Sequence, residues 1–316
     1  MDPAPPPSRA RRWLTAARPF SLPASATPVL FGSVLAPVAG DVPFNLPLFL
    51  LSLVAMLALH AAANMYNDLI DHRRGLDTVP NPGSGALARG WLSARDIRAG
   101  ALLLLSIGAG IGLLLTALCG VTLLGIGLAG VALGVLYSAP RAALKHHALG
   151  DLAVFLGFGL LGALGAWFVQ ARRLSLLPVA WAAPMALLTV AILHANNWRD
   201  LRADAEHRIV TVASLLGDRG SLLYYGFLVF SPFVLVTALV LLGTARPTAP
   251  LAMPPAFLVT WTAVPMAVSR WRRAVARAAP ARPGDFTGLD AATGQLNLAF
   301  GLLCTLALIV HRFWMR

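Results

Sequence analysis

Hydrophobic residues fall into nine long runs along the chain, separated by short polar segments. Each run holds close to the ~20 residues that an α-helix needs to cross the hydrocarbon core of a bilayer. The pattern predicts an all-α integral membrane protein with nine transmembrane helices. Residues 1–17 are expected to form a disordered or surface-lying arm, and residues 18–316 a single domain. The runs are approximately 20–39, 46–66, 99–117, 121–138, 149–169, 177–197, 220–243, 250–269 and 289–311.

The composition supports a membrane protein. The chain is 58% hydrophobic and only 12% charged, far from the composition of a soluble domain of this length. The formal net charge of +12 is compatible with nucleic-acid binding, but the basic residues form short clusters between apolar runs, which favours membrane topology signals. We therefore expect the lipid bilayer as a partner and no nucleic acid. Cys119 and Cys304 both lie inside apolar runs and indicate neither a disulfide framework nor a metal site.

The distribution of basic residues predicts the orientation. Nine crossings sort the connections into two groups, and 20 of the 25 Lys and Arg residues fall on the side of the amino terminus. Because cytoplasmic loops carry the excess of Lys and Arg, we expect a multi-pass protein of the cytoplasmic (inner) membrane. Its amino terminus and its even-numbered connections are then cytoplasmic.

Glycines recur in the third, fourth and fifth runs. Small residues let transmembrane helices approach each other closely. We therefore predict close helix packing at glycines 108, 110, 112, 125, 127, 130, 134, 157, 159, 162 and 165.

Two polar motifs stand where apolar runs end. N-M-Y-N-D-L-I-D-H-R-R-G-L-D occupies residues 64–77, and N-N-W-R-D-L-R-A-D occupies residues 196–204. Each motif has an Asn and an Asp four residues apart and a further Asp about one turn on, so these side chains share a helix face. Four crossings separate the motifs, which places both on one side of the membrane. The pattern suggests one shared cation site formed by Asp68, Asp71, Asp200 and Asp204.

Acidic residues beside hydrocarbon are costly and usually mark a functional site. The candidate ligands are hard oxygens, which suit Mg²⁺ held by one or two carboxylates while phosphate oxygens fill the other positions. Guanidinium and ammonium groups around the carboxylates indicate that diphosphate binds with the metal. The alternatives are carboxylates solvated at helix ends and cations that only anchor the topology. These cations are Arg73, Arg74, Arg141, Lys145, Arg199, Arg202 and Arg208.

These residues resemble the UbiA-type intramembrane prenyltransferases, and most closely the branch that prenylates 1,4-dihydroxy-2-naphthoate in menaquinone biosynthesis. The resemblance covers nearly the whole chain. It departs from the family pattern after Asp204, where A-E-H-R-I-V-T lacks the usual Gly and basic pair. It rests on R-P-F-S-L-P-A-S at 18–25, N-D-L-I-D-H-R-R-G-L-D-T at 67–78, G-S-G-A-L-A-R-G-W-L-S at 83–93, Y-S-A-P at 137–140, L-K-H-H-A-L-G-D at 144–151 and H-A-N-N-W-R-D-L-R-A-D at 194–204.

The resemblance implies a nine-helix bundle whose central cavity opens to the cytoplasmic side and into the bilayer. It implies that the first motif binds Mg²⁺ and diphosphate through Asn64, Asn67, Asp68 and Asp71. It implies that the second motif does so through Asp200 and Asp204, with Asn197 beside them, and that the loop after the motif supplies Arg208. Lys145 is similar to a diphosphate-binding cation, and Tyr137 to the tyrosine that lines the pocket where the prenyl carbon meets its acceptor.

The implied function is Mg²⁺-dependent transfer of a polyprenyl group from an allylic prenyl diphosphate to a small aromatic acceptor. On the naphthoate branch the product is a demethylmenaquinone. Its carboxylated acceptor needs a further cation, for which Arg18, Arg89 and Arg141 are candidates because they stand apart from the two motifs in sequence. The alternatives are prenyl transfer to another aromatic acceptor, a membrane terpene cyclase, and a transporter. Acids on one face and motif helices that run in the same direction disfavour the transporter.

Overall fold

A computed structural model of the chain describes residues 7–73, 75, 85–139, 143–246, 248–277 and 282–314, in which helices are the predominant secondary structure. The α-helices are α1 (Arg9–Ala17), α2 (Pro23–Ala39), α3 (Leu46–Arg73), α4 (Ala94–Cys119), α5 (Thr122–Tyr137), α6 (Gly150–Val154), α7 (Gly162–Ala171), α8 (Leu177–Arg199), α9 (Leu201–Glu206), α10 (Val212–Ala245), α11 (Val264–Val275) and α12 (Leu289–Trp314). A π-helix at Phe155–Leu161 joins α6 to α7, and 3₁₀ helices lie at Leu144–His146, Pro255–Ala263 and Pro283–Phe286. The predicted all-α class is confirmed.

Six helical stretches are long and apolar enough to cross a membrane, by length and composition, within the described ranges. They are Leu46–Arg73, Ala94–Cys119, Gly150–Ala171, Leu177–Arg199, Val212–Ala245 and Gly284–Phe313. The chain is therefore a multi-pass membrane protein. Two further apolar helices, α2 and α5, are shorter.

The eighth predicted run, 250–269, differs most from the structure. Its helical part begins later, as a 3₁₀ helix at Pro255–Ala263, and continues as α11 to Val275. Prolines at 250, 254 and 255 explain the late start, because proline has no backbone N–H and disfavours helical geometry in the residue before it.

The first helix, α1, lies within the predicted amino-terminal arm, and its Arg9 and Arg11 side chains are exposed. The Ser8 hydroxyl accepts a hydrogen bond from the Arg11 backbone N–H and caps the helix. Ala16 of α1 is buried in a small cluster with Met65 of α3. This contact sets α1 against the end of α3 that carries the first motif.

The main apolar core joins α2, α7, α8, α10 and α12. Its largest fully buried side chains include Trp167, Trp198 and Phe233. Gly32 of α2 is required here, because a Cβ at this position would lie 2.3 Å from the backbone oxygen of Ala163. Lipid gives helices little hydrophobic drive to associate, so close backbone contacts of this kind hold the bundle together.

The predicted close packing at glycines is correct at some positions and wrong at others. Gly108 and Gly159 are tightly packed, since an added Cβ would lie 2.6 Å from Leu59 and 2.2 Å from Ala186. On α5, by contrast, no residue is buried. An added Cβ would meet nothing within 4 Å at glycines 110, 112, 125, 127, 130 and 134. The glycines of α5 therefore leave open space beside the helix and do not draw it against a neighbour.

Two loops meet at the end of the bundle where both motifs lie, here called the motif end. A parallel bridge pairs His147 with Val210. The Ala148 N–H donates to the Val210 carbonyl at 2.7 Å, and the Val210 N–H donates to the His146 carbonyl at 3.2 Å. The bridge fixes the loop that carries Lys145 against the loop that follows the second motif.

Candidate active site

Lys145 reaches the first motif from the loop after α5. Its ammonium group donates to both carboxylate oxygens of Asp71, at 2.6 and 2.8 Å, and to Asn67 Oδ1 at 2.6 Å. The Asn67 amide donates to Asp71 Oδ2 at 3.1 Å, and the Ser138 hydroxyl donates to Asn67 Oδ1 at 2.7 Å. The Lys145 and Asp71 side chains are each only 12% exposed. Removing one partner of such a pair leaves a charge in poorly solvated surroundings, so the cluster is stable only as a unit.

Arg18 contacts the other acid of the first motif. It ends α1 in the left-handed conformation, with φ 53°, and its guanidinium donates to Asp68 Oδ1. The Asn64 amide donates to the Ala17 carbonyl and to the Ser21 hydroxyl, both at 3.1 Å, and so holds the Arg18 backbone in place. Asp68 is 3% exposed, and its Oδ2 is buried with no hydrogen-bond partner among the described residues. A buried oxygen without a partner is costly, and it points to a ligand.

The second motif is more exposed than the first. The Arg199 guanidinium donates to both oxygens of Asp200, at 2.9 and 2.8 Å, and to Asp290 Oδ2 at 3.2 Å. The Asp200 side chain is 45% exposed, so water screens this ion pair.

Asp204 is close to the charged groups of both motifs. Burial raises the pKa of Asp204 to about 7, and the Asp200 carboxylate raises it as well. Lys145 lowers the pKa of Asp204 and Asp71 raises it, so charged groups of the first motif also act on this acid. Near neutral pH, Asp204 therefore changes between its charged and its neutral form.

A cavity of about 970 Å³ begins at the motif end and continues between α3, α4 and α5. It is lined from Arg98 to Thr116 along α4, which is roughly 27 Å at 1.5 Å per residue. The wall is mostly apolar and includes Phe158 of the π-helix. The polar residues at its motif end include Arg18, Asn64, Asn67, Arg73, Arg98, Tyr137 and Asn196.

Some of the predicted site residues are placed differently from what the sequence suggested. Arg208 is exposed, and Asn196, one residue before the predicted Asn197, lines the cavity. Arg18 is distant from the motifs in sequence and was predicted as a cation for the acceptor, yet the structure pairs it with Asp68, because α1 folds back onto α3. Arg74, Asp77 and Arg141 lie outside the described residues.

Sequence reasoning missed two polar residues at the site. Ser138 holds Asn67 through the hydrogen bond described above. Asp290 shares Arg199 with Asp200. Asp290 lies in the first turn of α12, and an acid at the start of an apolar run on the motif side was the available signal.

The oxygen ligands fit a hard divalent cation. Within the described part of the chain, no three or more Asp, Glu, His or Cys side chains are grouped so that they could hold a metal ion by themselves. Mg²⁺ in phosphate sites needs only one or two carboxylates, because phosphate oxygens complete its shell. The unpartnered Asp68 Oδ2 and the oxygen-only donor set therefore suit Mg²⁺ bound together with diphosphate. The candidate metal-binding residues are Asp68, Asp71, Asp200 and Asp204.

The sequence of the chain is similar to those of known proteins. Residues 25–286 match the model of the UbiA prenyltransferase family. UbiA prenyltransferase domain-containing protein 1 of Mus musculus is 34% identical over 300 residues, which cover 94% of this chain and 84% of the relative. A 1,4-dihydroxy-2-naphthoate octaprenyltransferase of Bacillus subtilis (strain 168) is 30% identical over 297 residues, covering 94% of this chain and 91% of the relative.

Solved structures share the fold. A UbiA homolog from Archaeoglobus fulgidus bound to GPP and Mg²⁺ aligns with a TM-score of 0.62 at 14% identity, over 93% of this chain and 99% of that one. A UbiA homolog from Aeropyrum pernix K1 aligns with a TM-score of 0.63 at 21% identity, over 92% and 96%. At these identities the likeness establishes the architecture alone.

Proposed function

The chain belongs to the UbiA prenyltransferase family and is a membrane prenyltransferase, and we propose that it moves a polyprenyl group from an allylic diphosphate to a small aromatic acceptor with the aid of Mg²⁺. The observation that carries this proposal is the position of the two ion pairs at the first motif, Arg18 with Asp68 and Lys145 with Asp71. Asn67 and Arg18 lie at the polar end of a long apolar cavity. Asn67 donates a hydrogen bond to Asp71, and Arg18 donates one to Asp68. A molecule with a diphosphate at one end and an isoprenoid chain at the other matches that division.

The chain's own residues suit the chemistry of ionisation. Bound Mg²⁺ would neutralise the charge that develops on the diphosphate leaving group. Asp68, Asp71, Asp200 and Asp204 would hold the metal. Lys145 and Arg18 would donate charge-assisted hydrogen bonds to diphosphate oxygens. The apolar walls keep water from the allylic cation, and the Tyr137 ring, at the polar end of the cavity, stabilises that cation through its π-face.

The proposed acceptor is 1,4-dihydroxy-2-naphthoate. The name of the Bacillus subtilis relative supports this choice. In the transfer, a bond forms between the first prenyl carbon and the ring, and the bond from that carbon to the diphosphate oxygen breaks. The acceptor carboxylate leaves as CO₂, which yields a demethylmenaquinone in its reduced form. The alternatives are another aromatic acceptor and cyclisation of the prenyl chain on itself.

The proposed topology is a nine-helix bundle in the inner membrane with the motif end in the cytoplasm. The six long helices account for six crossings by length and composition. The segments α2, α5 and Pro255–Val275 would supply the other three. The excess of Lys and Arg on the amino-terminal side supports the orientation.

Product analysis tests the proposal. Purified protein in detergent is incubated with geranylgeranyl diphosphate and Mg²⁺, with and without dihydroxynaphthoate, and products are identified by liquid chromatography with mass detection. We expect a prenylated naphthoquinol and diphosphate only when the acceptor is present. The Asp68→Asn variant serves as the inactive control. Diphosphate release together with a cyclic hydrocarbon in the absence of acceptor would establish the cyclase instead.

A further inference from the structure

Three of the four candidate metal-binding carboxylates already contact a basic side chain. The pairs are Arg18 with Asp68, Lys145 with Asp71, and Arg199 with Asp200. The first two pairs are mostly buried, whereas the Asp200 side chain is 45% exposed. Water screens the third pair, so the first two dominate the electrostatics of the site.

A divalent cation at the first motif must displace or repel these partners. The Lys145 ammonium contacts both oxygens of Asp71, at 2.6 and 2.8 Å. At Asp68, Arg18 contacts Oδ1, while Oδ2 has no hydrogen-bond partner among the described residues. Metal alone therefore meets one carboxylate with an open oxygen and one that is fully engaged. It would also have two positive side chains as close neighbours in a poorly solvated place.

Diphosphate removes this conflict, because it supplies oxygens that accept from Arg and Lys. We propose that Arg18 and Lys145 are exchangeable counter-ions, which compete with the metal for Asp68 and Asp71 and transfer to the diphosphate when both ligands bind. Metal and diphosphate then bind cooperatively, and each raises the affinity of the other by the same factor. The inference rests on the proposed function, since it assigns the order of contacts at that same site.

The surroundings allow the side chains to exchange partners while the backbone stays in place. Asn64 holds the Ala17 carbonyl, so the Arg18 backbone is anchored while its long side chain lines the cavity. The bridge between His147 and Val210 anchors the loop of Lys145 in the same way. Rotation about side-chain bonds is enough to carry either cation from a carboxylate to a neighbouring anion.

The exchange predicts effects of opposite sign for one substitution. Isothermal titration calorimetry would measure the affinity of the protein for three ligands in the absence of prenyl donor and acceptor. The ligands are MgCl₂ alone, inorganic diphosphate in the presence of a metal chelator, and the magnesium–diphosphate complex in excess Mg²⁺. In the wild type, the complex should bind about tenfold or more tighter than either component. In Arg18→Ala, MgCl₂ alone should bind several-fold tighter and the complex about tenfold weaker. Lys145→Gln should shift both affinities in the same directions.

Arg11→Ala is the matched control, because it removes one exposed positive charge from the same helix without touching Asp68. It should leave all three affinities unchanged. The inference is overturned if Arg18→Ala and Lys145→Gln weaken MgCl₂ binding, or leave it unchanged, in protein whose circular dichroism matches the wild type. Prenyl product without these shifts would refute the exchange and keep the proposed function. The shifts in affinity without any prenyl product would support the exchange and refute the proposed function.

Discussion

Lys145 and Asp71 form an ion pair across 74 positions of sequence, with the ammonium 2.6 and 2.8 Å from the two carboxylate oxygens. The loop that carries Lys145 also pairs with Val210, just beyond the second motif. One short loop thus connects both motifs at the same end of the bundle. The charge of Lys145 also lowers the pKa of Asp204, so this loop acts on an acid of each motif.

The first prediction concerns the charge of Asp68. In Asp68→Asn the amide keeps the shape of the side chain and can still accept from Arg18, but it loses the charge that attracts a divalent cation. We expect kcat to fall by roughly 100-fold, equivalent to about 3 kcal/mol of barrier, with the protein still folded. Steady-state kinetics with geranylgeranyl diphosphate measures this. Glu206→Gln, an exposed acid on α9, is the control and should stay within a few-fold of the wild type. An Asp68→Asn enzyme of near-normal rate would remove Asp68 from the site.

The second prediction links Asp204 to stability. Burial raises the pKa of Asp204 to about 7, well above the value of about 4 for an unfolded chain. The folded state then binds the extra proton between these values, so this stabilising contribution is complete below pH 4 and is lost as the pH rises through 7. Asp204→Asn carries no such charge. With a metal chelator present, the Asp204→Asn substitution should raise the apparent melting temperature at pH 8 by about 2–4 °C, with a smaller gain at pH 5.

Thermal unfolding of the detergent-solubilised protein at the two pH values measures this difference. Glu206→Gln lies on the same short helix but is exposed, and it should give no pH-dependent gain. A lower melting temperature for Asp204→Asn at pH 8 would show that the carboxylate is stabilised by its surroundings, contrary to the prediction.

The sequence predicted the acidic face of α3 because a helical period fixes which side chains point the same way. Asn67 and Asp71, one turn apart, do contact each other. The partner of Asp68 was not predictable in the same manner. Arg18 lies 50 positions away, and only the packing of α1 against Met65 brings the two together.

The glycines show the opposite limit. Gly108 and Gly130 have similar apolar neighbours in sequence, yet Gly108 presses on Leu59 and Gly130 has nothing within 4 Å of an added Cβ. A small residue permits close approach but does not cause it. The packing of the whole bundle determines which helix lies opposite a glycine, and the local sequence pattern does not predict it.

The third prediction uses this open space. Gly130 lines the cavity seven residues from Tyr137, or roughly 10 Å along α5. Gly130→Leu should fill the path of the prenyl chain beyond its first units. We expect kcat/KM to fall about tenfold for geranylgeranyl diphosphate, which corresponds to about 1.4 kcal/mol, and much less for dimethylallyl diphosphate. Gly125→Leu is the control, because Gly125 is equally open but does not line the cavity. Equal losses for both donors would show that the chain takes another path.

The fourth prediction concerns the orientation in the membrane. Arg95, Leu174 and Glu206 are exposed positions in the loops or at the helix ends of the bundle. Single cysteines at 95 and 206, in a background without Cys119 and Cys304, should react with an impermeant maleimide only after the inner face is opened. A cysteine at 174 should react from the outer face of intact spheroplasts. Labelling of 95 and 206 from opposite sides would exclude an even number of crossings between them.

The last prediction concerns the acceptor. A carboxylated acceptor needs a cation that the diphosphate does not already use, and Arg18, first considered for this role, contacts Asp68. Arg98 is better placed, because it lines the cavity from the start of α4, near the motif end. Arg98→Ala should raise the KM for dihydroxynaphthoate about tenfold, the loss expected for one charged hydrogen bond, while the KM for the prenyl diphosphate changes little.

Arg95→Ala provides the comparison for Arg98→Ala. Arg95 is exposed three residues before Arg98, near the start of α4, and it does not line the cavity. Initial rates at varied acceptor and fixed donor, then the reverse, separate the two KM values in both variants. If Arg98→Ala raises only the donor KM, Arg98 serves the diphosphate, and the acceptor carboxylate binds elsewhere. If both variants raise the acceptor KM equally, the effect comes from the overall positive charge of the motif end, which attracts any anion from solution.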